Sequence, residues 1–122
     1  MGTRIRLVYR SFGFALRGMW VARTGRNLRI QLVAAAAVVF LVVCYSVSGS
    51  RLGLVVVSVT AVISAEILNT AIERLCNFIA ELHGIGQDAR IRDIKDLSAA
   101  AVLVVSIGAA ANGAIVFGPL LL

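Results

Sequence analysis

The chain has 122 residues, of which 60% are apolar, 11 are glycine and only 15% are charged. A soluble domain holds about 45–50% apolar residues even with glycine counted, and the mean hydropathy here is +0.95, which argues against a soluble monomer and for a small integral membrane protein. The net charge of +6 and pI near 10.7 would point to nucleic acid in a soluble protein. Here eleven of the twelve basic residues lie outside the one apolar turn that holds Arg51, the distribution that the positive-inside rule produces, and no nucleic-acid partner is expected.

From Thr3 to Arg29 the chain is basic but carries Ile5, Phe12, Leu16 and Met19 on one helical stripe and Arg6, Arg10 and Arg17 on another. This pattern predicts an amphipathic helix lying in the membrane surface, with arginines at the headgroups and Phe12, Phe14 and Trp20 in the interface. Residues 30–50 are uncharged between Arg29 and Arg51, long enough to cross a hydrocarbon core of ~30 Å. A signal peptide ending near Ser46 would carry a far shorter basic region and a shorter apolar one, so no cleavage is expected. Residues 52–78 form a second, longer run, uncharged until Glu66 and then carrying Asn69, Glu73 and Arg74. Residues 80–92 hold Gly84, Gly86, Asp88 and Arg90 and read as a polar loop. Residues 94–122 form the third span, uncharged from Leu97 onward.

The expected architecture is therefore one all-α membrane domain over residues 1–122, with three transmembrane helices and an N-terminal surface helix. Seven basic residues precede the first span, Arg51 alone follows it, and Arg74, Arg90, Arg92 and Lys95 flank the second loop. That count puts the N-terminus and second loop in the cytoplasm and the C-terminus outside. Small residues at Ala34–Ala37 and Gly108–Gly113 would allow close helix contacts. Three thin helices bury little, so an oligomer is expected. Cys44 and Cys76 are too far apart for a Cys-x-x-Cys pair and sit in apolar surroundings, so both are read as packing residues.

Glu66, Asn69 and Glu73 stand at i, i+3 and i+7, which puts two carboxyls and an amide on one helix face. An acid inside a bilayer costs several kcal/mol unless it is paired or solvated, so such acids are functional candidates. At ~1.5 Å per residue, Glu66 lies about 21 Å from Leu52 and Glu73 about 31 Å, at lipid-hydroxyl depth and at the water edge respectively. A partly desolvated carboxylate can take a proton from a hydroxyl, and one at the water edge can hold Mg²⁺ together with nucleotide phosphates. Lys95 and Asp96 open the third span at the same edge, where an ammonium can neutralise a transferred phosphoryl group. The structural alternatives are that Glu66 and Asn69 only cross-link helices, through Arg29 or Lys95, and that Lys95 is a snorkelling boundary lysine.

The run Glu66-Ile67-Leu68-Asn69-Thr70-Ala71-Ile72-Glu73, followed by Lys95-Asp96 and Ala99-Ala100-Ala101-Val102-Leu103, resembles the signature of the prokaryotic diacylglycerol kinase and undecaprenol kinase family. Weaker similarity reaches back through Arg26-Asn27-Leu28-Arg29-Ile30 to the Phe-rich segment, so nearly the whole chain is covered. The resemblance implies a homotrimeric inner-membrane enzyme that transfers the ATP γ-phosphoryl group to a lipid alcohol. By family motif Glu66 would be the general base on the lipid hydroxyl and would meet that substrate. Asn69 would help build the site, and Glu73 would bind the Mg²⁺ that bridges the ATP phosphates. Lys95 and Asp96 would contact those phosphates, and Glu81 and His83 would form a Glu-x-His element near the base, with a longer spacing to Lys95 than is usual. Arg6 or Arg10 would correspond to a basic residue that meets substrate.

The chain departs from the family pattern at Gly25, where members usually carry a glutamate that is a second metal ligand. Gln31 stands where His or Glu is common, and Asn77 where Asp is common. A protein of the same fold that binds nucleotide or lipid without catalysis is the alternative that Gly25 favours. A third class, a small proton-coupled exporter built on one intramembrane glutamate, leaves Lys95 and Asp96 without a role. Undecaprenol and diacylglycerol both present a primary hydroxyl at the same depth. The Arg-Asn-x-Arg-Ile segment is more similar to the undecaprenol branch.

Overall fold

The computed structural model describes all 122 residues, as four helices: α1 (Gly2–Ala22), α2 (Arg26–Cys44), α3 (Gly49–His83) and α4 (Ala89–Leu121). There are no strands. Helices α2, α3 and α4 are each long and apolar enough to cross a membrane. At ~1.5 Å per residue, α3 with 35 residues and α4 with 33 exceed the roughly 20 residues that a bilayer core requires, so each projects beyond it by several turns.

The turns between the helices are set by local chemistry. Gly84 ends α3 in the left-handed conformation (φ 63°), which lets Ile85 N–H return to the Ala80 carbonyl at 3.0 Å. Asp88 then starts α4 by accepting the Arg90 backbone N–H at 2.8 Å. The α2–α3 turn bends through Ser46 (φ 49°) and Gly49 (φ 62°), and Val47 N–H reaches the Val42 carbonyl at 3.0 Å. The helix bounds differ from the sequence expectation: α1 ends at 22 instead of 29, α2 covers 26–44 instead of 30–50, α3 covers 49–83 instead of 52–78, α4 begins at 89 instead of 94, and the Gly84 and Asp88 caps shrink the polar loop read over 80–92 to 84–88.

Helices α3 and α4 form the main antiparallel pair, α2 packs on α3 more sparsely, and α1 meets α3 near its own C-terminus. The apolar core sits at the α2–α3 turn, where Val47, Val55, Val116 and Phe117 are buried together against Val38, Leu41 and Val42 of α2. Toward the α2–α3 turn end of the pair, Asn112 of α4 donates to the Ser58 hydroxyl of α3 at 2.9 Å, a polar tie of the kind that holds membrane helices. Within the chain, Ala34, Ala35, Ala109, Ala110 and Gly113 line an open groove of about 270 Å³ between α2 and the α3–α4 pair. Cys76 is buried and Cys44 exposed, both as free thiols.

Helix α1 is exposed along its length except at Val21 and Ala22. At its C-terminal end the Arg23 guanidinium stacks 4.4 Å above the Trp20 ring, a contact within the helix end itself. Only 11 of the 122 residues are buried, and Phe12, Phe14, Phe40 and Phe78 are all exposed. That is a surface suited to lipid or further protein and not to water.

Candidate functional site

The polar residues of α3 fall on a single stripe. Glu66, Asn69, Glu73, Asn77 and Glu81 follow one another at intervals of three, four, four and four residues, so they line one face over more than four turns. Exposure rises along that stripe. Glu66 is 2% exposed and Asn69 4%, Glu73 is half-buried, and Asn77 and Glu81 are exposed. The stripe thus runs from the apolar interior to the end where the α1–α2 turn and the start of α4 meet α3.

Helix α4 ties this face down at two points. The Ser98 hydroxyl donates to the side-chain carbonyl oxygen of Asn69, and the Lys95 carbonyl at 3.0 Å is its alternative acceptor. The Asn69 amide nitrogen then donates to Glu73 Oε1 at 3.3 Å, which fixes the orientation of the amide. Further out, Lys95 Nζ donates to Asn77 Oδ1 at 3.0 Å. An amide orients this ammonium without neutralising it. Glu66 is in no ion pair, so it is neither paired by Lys95 nor bridged to Arg29, and the polar tie between α3 and α4 at this level runs through Ser98 and Asn69.

The α1–α2 turn closes the site from the other side. Arg74 Nη2 donates to Thr24 Oγ1 at 2.8 Å, and Thr24 in turn donates to the Val21 carbonyl at 2.8 Å. This places Gly25 against α3. A Cβ there would stand 3.6 Å from Thr70 Oγ1 and 3.3 Å from the Ala22 carbonyl oxygen. Position 25 thus abuts the residue next to Asn69, and a small shift of the turn would admit a side chain.

Between α3 and the start of α4 lies a cleft of about 450 Å³, lined by Asn77, Glu81, Asp88, Arg92, Lys95 and Asp96 among others. Asp88 is engaged by Arg90 through a two-point ion pair at 3.0 and 3.1 Å, and these side-chain hydrogen bonds hold its carboxyl down at about 2. The same contacts raise the Arg90 guanidinium further above its already high value.

Of the residues expected to form a site, Asn69 and Glu73 are hydrogen-bonded to each other, and Glu66 precedes Asn69 by one turn on the same face. Glu81, Lys95 and Asp96 share the cleft. His83 is exposed on the last turn of α3 and does not line it. Arg6 and Arg10 are exposed on α1 and form no hydrogen bond or ion pair within the chain. Ser98, Asn77 as a lysine partner, Thr24, Arg74 and Arg92 were not singled out from the sequence. A lone serine in an apolar run, or two residues fifty positions apart, gives no periodic signal.

No group of three or more His, Cys, Asp or Glu residues gathers into a metal cage. Mg²⁺ is commonly held by one or two carboxylates together with substrate phosphates. The half-buried Glu73 fits that role, since only one of its two oxygens accepts from Asn69.

Residues 13–117 match the family described as prokaryotic diacylglycerol kinase. The chain belongs to that family. The chain is also 32% identical over 112 residues to the undecaprenol kinase of Bacillus subtilis (strain 168), an alignment that covers 91% of this chain and 88% of that protein. No solved structure matches. Membership of the prokaryotic diacylglycerol kinase family and three membrane-length helices together fit a multi-pass membrane protein. The family match begins at residue 13, inside α1, and runs through Gly25, the α3 stripe and the Lys95–Asp96 pair to the last turns of α4.

Proposed function

We propose that the protein is an ATP- and Mg²⁺-dependent lipid kinase that transfers the γ-phosphoryl group to the primary hydroxyl of a membrane lipid, with undecaprenol favoured over diacylglycerol. The observation that carries this reading is the stripe from Glu66 to Glu81, which joins an inward glutamate in no ion pair to a cleft with two cations. Lipid alcohol and nucleotide must meet where apolar interior gives way to water, and this stripe crosses that boundary. The family match supports lipid-kinase chemistry without choosing between the two acceptors, and the name of the Bacillus subtilis relative favours undecaprenol.

In this mechanism the lipid hydroxyl lies against Glu66, whose carboxylate takes its proton. The hydroxyl oxygen forms a bond to the γ-phosphorus in line with the leaving oxygen, the bond to the β–γ bridging oxygen breaks, and ADP departs. Asn69, held by Ser98 and Glu73, fixes the wall of the site between base and phosphates. Lys95 supplies positive charge where the transferred group develops negative charge, and Asp96 borders the same cleft. Glu73 would hold Mg²⁺, which would supply charge neutralisation for the nucleotide phosphates. Glu81 and His83 would lie toward the base of the nucleotide, and Arg6 or Arg10 toward the lipid headgroup. In this reading the N-terminus, the α3–α4 turn and the site face the cytoplasm at the inner membrane, the C-terminus lies outside, α1 lies in the membrane surface, and the working unit is a homotrimer.

Gly25 supports a second reading, a non-catalytic protein of the same fold, because position 25 abuts the acidic turn and offers no ligand there. The two are separated by incubating the protein in bilayers with labelled ATP and Mg²⁺, offering undecaprenol and diacylglycerol in separate reactions. The kinase reading predicts labelled undecaprenol phosphate formed faster than labelled phosphatidic acid. Nucleotide binding without any labelled lipid would support the second.

A further inference from the structure

We propose that Arg92 is a second cationic residue of the nucleotide cleft and contacts the phosphate chain alongside Lys95. This rests on the kinase reading above and extends it to a residue that neither the motif nor its spacing indicated.

Arg92 and Lys95 are three residues apart on α4, hence neighbours on one helix face, and both line the same cleft. The nearby acids leave Arg92 unpaired. Asp88 is taken by Arg90 in the single ion pair of the chain, and Arg92 forms no side-chain hydrogen bond or ion pair with Glu81 or Asp96. Lys95 is likewise held only by the neutral Asn77 amide. Glu81 and Asp96 line the same cleft but pair with neither cation, so both cations keep their donors free for an anionic ligand. A nucleoside triphosphate stays anionic with Mg²⁺ bound, and a guanidinium meets two phosphate oxygens at once where an ammonium acts as a point charge. The placement depends on the cap. Because Asp88 starts α4 at Ala89, residue 92 is helical and turned into the cleft, where a polar loop would have left it free.

The test is nucleotide binding by the full chain in nanodiscs, using Mg²⁺ with a non-hydrolysable ATP analogue, followed by steady-state kinetics in both substrates. Arg92→Gln is expected to weaken the analogue Kd and raise the ATP KM about tenfold, with the lipid KM unchanged and a shallower salt dependence of binding. Arg92→Lys keeps the charge and should lose less, while Arg51→Gln, in the α2–α3 turn region, should lose nothing. An Arg92→Gln protein that binds the analogue like wild type overturns the assignment and leaves the kinase reading intact. A wild-type protein that binds no nucleotide overturns both.

Discussion

Ser98 on α4 donates its hydroxyl hydrogen to the side-chain carbonyl of Asn69 on α3, and both residues are buried. That bond ties together the two longest helices at the level where the acidic stripe enters the apolar interior, and it leaves the Asn69 amide nitrogen free to hold Glu73. Ser98→Ala would strand the buried Asn69 oxygen, a loss of about 1–3 kcal/mol. Equilibrium unfolding in mixed micelles should show that loss, with a fall in turnover smaller than that of any variant at Glu66.

Glu73→Gln keeps the hydrogen bond from Asn69 but removes the charge offered to a cation. Turnover should then require a higher Mg²⁺ concentration, with the fold unchanged by circular dichroism. An unaltered Mg²⁺ dependence would place the metal elsewhere.

Gly25→Glu adds a carboxylate beside Thr70. The added Cβ meets the Ala22 carbonyl oxygen at 3.3 Å, a crowding that a slight shift of the exposed α1–α2 turn relieves. The expected outcome is a lower half-saturating Mg²⁺ concentration, since Mg²⁺ accepts up to two carboxylates alongside phosphates. Titration of activity against Mg²⁺ measures it.

The Asp88 carboxyl should titrate near 2 when followed by carbon NMR, held there chiefly by the Arg90 side-chain hydrogen bonds. Its folded value lies below the ordinary aspartate value of about 3.9. The stabilisation it gives the start of α4 is therefore fully present above about pH 4 and is lost as pH falls through the folded value of about 2. Removing the partner with Arg90→Gln should bring the titration back toward the ordinary value.

Much of this organisation is legible in the residue pattern. The uncharged runs announce three membrane-length helices, and the i, i+3, i+7 spacing puts Glu66, Asn69 and Glu73 on the face that α4 covers. The helix ends are less legible. Gly84, Gly86, Asp88 and Arg90 all read as loop, yet a single glycine in the left-handed region and one aspartate cap confine the turn to five residues and make Arg92 and Lys95 helical. Tertiary partners leave no local trace. Nothing in the sequence near Thr24 predicts Arg74, and nothing in the apolar run around Ser98 predicts Asn69. The small-residue stretches are permissive only, because alanine and glycine admit close packing without compelling it, and within the chain several of them line a groove.

In the proposed mechanism Glu66 takes the proton from a lipid hydroxyl as the γ-phosphoryl group is transferred. The most direct measurement compares wild-type and Glu66→Gln proteins in bilayers containing undecaprenol, with γ-labelled ATP and Mg²⁺, reading labelled lipid under conditions where both proteins bind nucleotide equally. Wild type is expected to form labelled undecaprenol phosphate, and Glu66→Gln to lose about 10²–10⁴-fold of that transfer. Equal transfer by the two proteins, or no labelled lipid from wild type, would rule out this role for Glu66.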